Sequence, residues 1–130
     1  MADDIRFLSV DDVLALHEDT NRAEGGLAGV RDLGLLMSAV MMPQQRFADA
    51  YLHQGVAAMA AAYLFHIVQN NPFQDGNKRA GVLAALIFLD ANGVTHLPDP
   101  ADLERVTFSV AASEMSKDEL TSWMDSAITE

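Results

Sequence analysis

The chain has 130 residues, half of them apolar, and 19 acidic side chains against eight basic ones give a net charge of −11. This length and apolar content suit one domain over residues 1–130, while the acidity excludes direct nucleic-acid binding through phosphates, which needs a basic face. The absence of cysteine excludes disulfides, thiolate nucleophiles and cysteine metal sites, and is compatible with the reducing cytoplasm.

The opening residues MADDIRFLSV lack the charged-then-apolar order of a signal peptide, and no apolar run reaches the roughly 20 residues that span a bilayer, so a soluble protein without membrane partners is expected. Ser9 and Asp12 have capping-box spacing, and Val10, Val13, Leu14 and His17 follow at helical intervals, predicting a helix over about residues 10–20. The glycines of EGGLAGVRD predict an ordered turn, after which Asp32 caps a second helix that Pro43 stops after Met42. Residues 43–53, PQQRFADAYLH, have no clean period and predict a loop with a short extended piece able to form a flap. Arg46 within it is read as a solvated cation.

Two strongly apolar helices follow, over about residues 53–70 and 77–91, the second ending at Gly93 in a left-handed turn. Asp99 as cap with Pro100 at the first helical position opens a fifth helix, and the box Ser116 with Glu119 opens a sixth that runs through Trp123 and Ile128. The expected fold is therefore all-α, a compact bundle of six helices. His17, His53, His66 and His96 show no ligand-type spacing, which argues against structural zinc; His66, alone on an apolar helix, is read as a core residue.

The most informative stretch is NPFQDGNKR, residues 71–79, between the two apolar helices. Pro72 is expected to hold Asn71 extended and end the preceding helix, Phe73 to anchor the loop in the core, Gly76 to permit a positive φ, and Asn77 to cap the next helix. Lys78 and Arg79 then fall where the helix already carries partial positive charge, a place that favours an anion. Amide donors plus two cations make a phosphate cradle, and Asp75 beside it has the chemistry that magnesium takes from proteins. The same residues also describe an ordinary turn between antiparallel helices, with both cations in water.

NPFQDGNKRAG after YLFHIVQN resembles the Fic/Doc motif, which runs histidine, any residue or proline, phenylalanine, any residue, aspartate or glutamate, glycine or alanine, asparagine, lysine, arginine. Pro72, Phe73, Asp75, Gly76, Asn77, Lys78 and Arg79 match, with a specific resemblance to the death-on-curing branch, and LSVDDVLALHED, GGLAGVRDLGLLMSAV and PQQRF resemble the family's upstream region. The resemblance implies an all-α bundle in which Gly76 and Asn77 contact the phosphates of ATP, Lys78 and Arg79 balance their charge, Asp75 holds magnesium, and a disordered antitoxin segment covers the site. Lysine at position 78, where most Fic proteins have glycine and transfer AMP, resembles the Doc branch and implies phosphoryl transfer to a hydroxyl of a translation factor similar to elongation factor Tu.

The departure is Asn71, at the position of the family's histidine. Imidazole titrates near pH ~6.5, whereas a carboxamide has no useful basicity, so Asn71 cannot act as general base, at a typical cost of ~10²–10⁴ in rate. The expectation is a Doc-type toxin with a disabled catalytic set of Asn71, Asp75, Lys78 and Arg79; the alternatives are an AMP-transferring Fic enzyme and a non-catalytic module that binds an antitoxin. The Fic inhibitory motif is absent: the best candidate, Glu114, has Val110 four residues before it and Met115 after it.

Overall fold

The computed structural model describes residues 4–129. Six α-helices run in the order α1 Val10–Glu24, α2 Leu33–Met41, α3 Val56–Asn70, α4 Asn77–Ala91, α5 Pro100–Ala111 and α6 Lys117–Ile128. Between α2 and α3 lie a short 3₁₀ turn, Met42–Gln44, and two strands, β1 Arg46–Phe47 and β2 Ala50–Tyr51. The strands pair antiparallel, Arg46 opposite Tyr51 and Phe47 opposite Ala50. Ala48 and Asp49 turn the hairpin with φ of 51° and 66°, and the Arg46 guanidinium donates to the Asp49 carbonyl at 2.7 Å while standing 4.5 Å above the Tyr51 ring. The extended piece expected in this region is thus a hairpin, with Arg46 tied into it.

Side-chain caps start four helices where the sequence places them. Ser9 with Asp12 and Ser116 with Glu119 close capping boxes on α1 and α6, and Asp32 and Asp99 accept from Leu35 and Ala101 backbone N–H groups on α2 and α5. Each such cap satisfies donors that the first helical turn cannot pair internally, typically worth ~1 kcal/mol. The first helix runs four residues beyond its predicted end, to Glu24, because its stop is Gly25 at φ 73°.

The helix α3 lies at the centre. Ala60, Ala61, Tyr63, Leu64 and Ile67 are fully buried on it, as are Ala80, Ala84, Ala85, Phe88 and Leu89 on α4. Alanines let the two helices approach closely, and at Gly81 the approach is closer still: a Cβ there would stand 2.9 Å from Val68 Cγ2. Val13, Leu36, Leu103, Leu120 and Met124 complete the core from the other four helices. The Tyr63 hydroxyl, deep in that core, accepts from Leu8 N–H at 2.8 Å and so fixes the chain just before α1. This packing holds the C-terminus of α3 and the N-terminus of α4 rigidly side by side, with residues 71–76 joining them.

Candidate functional site

The loop begins with Asn71 in the left-handed region, φ 52° and ψ 52°. This corrects the extended geometry expected from Pro72. Proline bars its predecessor from the right-handed helical region, and asparagine, which tolerates the left-handed one better than most residues, provides a helix end there. The Asn71 N–H still bonds the Ile67 carbonyl at 3.1 Å.

Phe73 is fully buried. Its ring lies flat on the imidazole of His17 from α1, with centroids 3.7 Å apart and planes 6° apart. The His17 Nε2–H donates to the Asp75 carbonyl at 2.6 Å; because a carbonyl only accepts, this bond places a proton on Nε2.

Gly76, at φ 78°, turns the chain into α4 and is itself the N-cap. Asn77 therefore does not cap the helix as its sequence position suggested: it is the first helical residue, and its side chain reaches back into the loop. Its Oδ1 accepts from Phe73 N–H at 2.9 Å, and its Nδ2 donates to the Phe73 carbonyl at 3.0 Å and to Asn71 Oδ1 at 2.6 Å. No side chain caps α4, so the first amides of that helix stay open toward the loop.

The glycine-rich segment before α2 forms the other wall. Val30 and Phe73 form an antiparallel bridge, Gln74 N–H bonds the Gly29 carbonyl at 3.1 Å, and the backbone N–H groups of Arg31 and Asp32 both bond the Pro72 carbonyl. The Arg31 side chain donates to the carbonyls of Asn71 and Asn70 at 2.7 and 2.9 Å, covering the negative end of α3. Asn21 of α1 donates to the Leu27 carbonyl and so ties this segment to the first helix. His17, Asn21 and Arg31 were not singled out from the sequence, where each reads as an ordinary helix or turn residue.

The charges sort themselves. Arg79 Nη2 stands 3.4 Å from both Glu24 and Glu104, so one of the two cations is partnered by acids even without a ligand. Lys78 is exposed, with its ammonium 5.5 Å above the Phe108 ring. The Asp75 carboxylate accepts from Gly76 N–H at 2.9 Å through Oδ1 and from Leu27 N–H at 3.3 Å through Oδ2. With roughly four lone-pair sites on a carboxylate, acceptor capacity remains. No group of three or more acidic, histidine or cysteine side chains that could hold a metal occurs among the described residues. One carboxylate beside a phosphate cradle is nevertheless the donor set magnesium uses when phosphate oxygens and water supply the rest, so the residues fit that ion.

Two cavities flank the start of α4 and share Asp75, Gly76, Asn77 and Lys78. One of about 450 Å³ extends past Asn71, Gln69 and Gln74; the other, of about 240 Å³, extends past Arg79, Glu24, Glu104 and Phe108.

His66 lies apart from this site. Its Nε2 is 3.1 Å from Lys117 Nζ, and His53 Nε2 is 3.0 Å from the same ammonium. Burial, then Lys117, then His53 push the His66 imidazole down to about 4, and burial followed by Lys117 lowers His53 as well.

A backbone cradle of this kind, closed by Phe73, Asp75, Gly76, Asn77, Lys78 and Arg79, is accompanied by a match of residues 7–89 to the Fic/DOC family. The chain belongs to the Fic/Doc family. It is 31% identical over 112 residues to the "Protein kinase doc" of Escherichia phage P1, an alignment covering 86% of this chain and 87% of the phage protein. It is 42% identical over 72 residues to the "Toxin Doc" of Mycolicibacterium smegmatis, covering 55% of each chain. Similarity to these two proteins puts it with the Doc-type toxins within the Fic/Doc family, and the six-helix architecture agrees with the all-α bundle expected from the sequence. No helix among the described residues is long and apolar enough to cross a membrane.

Proposed function

We propose that this chain is a Doc-type toxin that binds ATP at residues 75–79 and is built to pass its terminal phosphate to a serine or threonine hydroxyl of a translation factor similar to elongation factor Tu. The observation that carries the reading is the uncapped start of α4, turned by Gly76 so that open amides, Lys78 and the Asp75 carboxylate border one concavity. Amides and Lys78 hold phosphate oxygens there; Arg79 adds charge once phosphate competes with its long, exposed pairs to Glu24 and Glu104, which are worth little by themselves. Asp75 would hold magnesium, which would supply charge neutralisation at the phosphates.

Turnover is low in this reading because Asn71 occupies the position of the base. Its Oδ1 already accepts from Asn77 Nδ2, and a carboxamide has no useful basicity with which to take the proton that the nucleophile must lose. A disordered antitoxin segment is the natural cover for such a site.

Thermal unfolding with and without magnesium and ATP tests the binding step. A nucleotide at 100 times its dissociation constant should add about 2.7 kcal/mol of stability. Absence of any shift at millimolar ATP would remove the basis for a transferase and favour a module that only binds an antitoxin.

A further inference from the structure

The stretch EGGLAG, which the sequence marks only as a turn, reaches across to the motif loop at one residue. Leu27 is 67% exposed, so apolar packing does not hold it in place. Its backbone does: the Leu27 carbonyl accepts from Asn21 Nδ2, and the Leu27 N–H donates to Asp75 Oδ2 at 3.3 Å. Asn21 is buried and lies one helical turn after His17 on α1, and His17 bonds the Asp75 carbonyl. One face of α1 therefore grips Asp75 twice, its carbonyl directly through His17 and its carboxylate through Asn21 and Leu27. Gly26 shows how closely these groups approach. Its φ is not positive, so backbone conformation does not call for glycine there, but a Cβ would stand 2.7 Å from Asn21 Oδ1 and 3.0 Å from Asp75 Oδ2.

We infer that Asn21 and Gly26 are positioning residues which, through Leu27, set the rotation of the Asp75 carboxylate for a magnesium ion brought in with ATP. The inference rests on the proposed ATP site and adds to it the residues that orient its carboxylate without touching a ligand. Two backbone donors hold that carboxylate, Gly76 N–H on Oδ1 at 2.9 Å and Leu27 N–H on Oδ2. Gly76 is the next residue in the chain and moves with Asp75, so only the bond from Leu27 ties the carboxylate to another part of the fold. Magnesium accepts little departure from octahedral geometry, and a carboxylate left free to rotate serves it poorly. Groups that hydrogen-bond a metal-binding side chain typically change metal affinity by roughly 10–100-fold. Asn21, fixed by burial on α1, supplies the rigid end of such a chain of bonds, and the missing side chain at Gly26 lets Asn21 and Asp75 come together.

Calorimetric titration of the intact chain with ATP, once in magnesium and once in EDTA, gives the ion's contribution as a ratio of two affinities. Asn21→Ala should cut that ratio roughly tenfold or more while leaving the affinity in EDTA unchanged. Gly26→Ala, whose added methyl pushes on both Asn21 and Asp75, should do the same. An unchanged ratio in either variant overturns the inference, as does an equal loss of affinity with and without magnesium, which would make Asn21 a general support of the loop. Amide hydrogen exchange tests the link in the unaltered chain, with no substitution that could impair folding. The Leu27 N–H should exchange roughly tenfold or more slowly than in the unfolded chain, and exchange at the unfolded rate would remove the link on which the inference depends. If magnesium adds nothing to the ATP affinity of the unaltered chain, the inference fails and the phosphate site stands. If ATP does not bind at all, both fail.

Discussion

The His17 imidazole and the Phe73 ring lie parallel, 3.7 Å apart, and the same imidazole donates to the Asp75 carbonyl at 2.6 Å. One buried side chain of α1 thus holds two residues of the motif loop, one by dispersion and one by a hydrogen bond. Replacing His17 with alanine should cost about 2–3 kcal/mol, because a cavity opens against Phe73 and the Asp75 carbonyl loses its donor. Chemical denaturation should register that loss, and magnesium-dependent ATP affinity should fall with it. His17→Gln, able to donate to the carbonyl but not to stack, should fall between the two in stability.

Arg31 makes a second prediction. Its guanidinium bonds two adjacent carbonyls at the end of α3, a forked geometry that a single ammonium does not reproduce. Arg31→Lys should therefore lose about 1 kcal/mol and should speed amide hydrogen exchange in residues 69–74. Equal exchange in the two proteins would show that the fork does not hold the loop.

The ion pairs of Arg79 give a prediction of opposite character. Both are exposed and 3.4 Å long, so Arg79→Ala should change stability by no more than about 0.5 kcal/mol, yet weaken ATP binding measurably. Glu24→Gln with Glu104→Gln should strengthen tripolyphosphate binding by removing negative charge near the phosphates. A large loss of stability in Arg79→Ala with nucleotide affinity unchanged would make the residue structural.

Acid should weaken the protein through His66 and His53. The His66 imidazole is pushed from an ordinary 6.5 down to about 4, mainly by burial and then by Lys117. The folded state thus prefers it neutral, while the unfolded chain takes up a proton near pH 6.5. Stability is complete above that value and declines as the pH falls from 6.5 toward 4. With the solvent that reaches the half-buried ring taken into account, the His66 part amounts to about 1 kcal/mol. His66→Gln, whose amide oxygen can still accept from Lys117, should flatten the fall in melting temperature between pH 6.5 and 5; an identical fall would assign it to other groups.

The helices were legible because their signals are local. Ser9 with Asp12, Asp32, Asp99 and Ser116 with Glu119 each cap within three residues of themselves, and Pro43 and Gly93 act where they stand. The loop's residue types were legible too, but not its walls. Val30 meets Phe73, and Arg31 meets the carbonyls of Asn70 and Asn71, across about forty intervening residues, and no periodicity announces a pairing at that separation. Asn77 was misread as a cap because asparagine favours that position; the positive φ of Gly76 moved the cap one residue earlier and freed the Asn77 side chain to stitch the loop. Likewise, the sequence shows two cations at a helix start, but the two glutamates facing Arg79 come from α5 and the end of α1, which only the packing brings together.

The central claim, a phosphoryl-transfer site lacking its base, turns on position 71. Asn71→His should convert a protein that transfers almost nothing into one that labels elongation factor Tu, with a gain on the order of 10²–10⁴ in rate. The decisive measurement is transfer of radiolabel to that factor from ATP labelled at the γ position and, in parallel, at the α position, using both forms of the chain. The account predicts label from the γ position alone, and only with the histidine form. Label from the α position would make the chain an AMP-transferring enzyme, and a histidine form that binds ATP yet transfers neither label would contradict the disabled-enzyme reading.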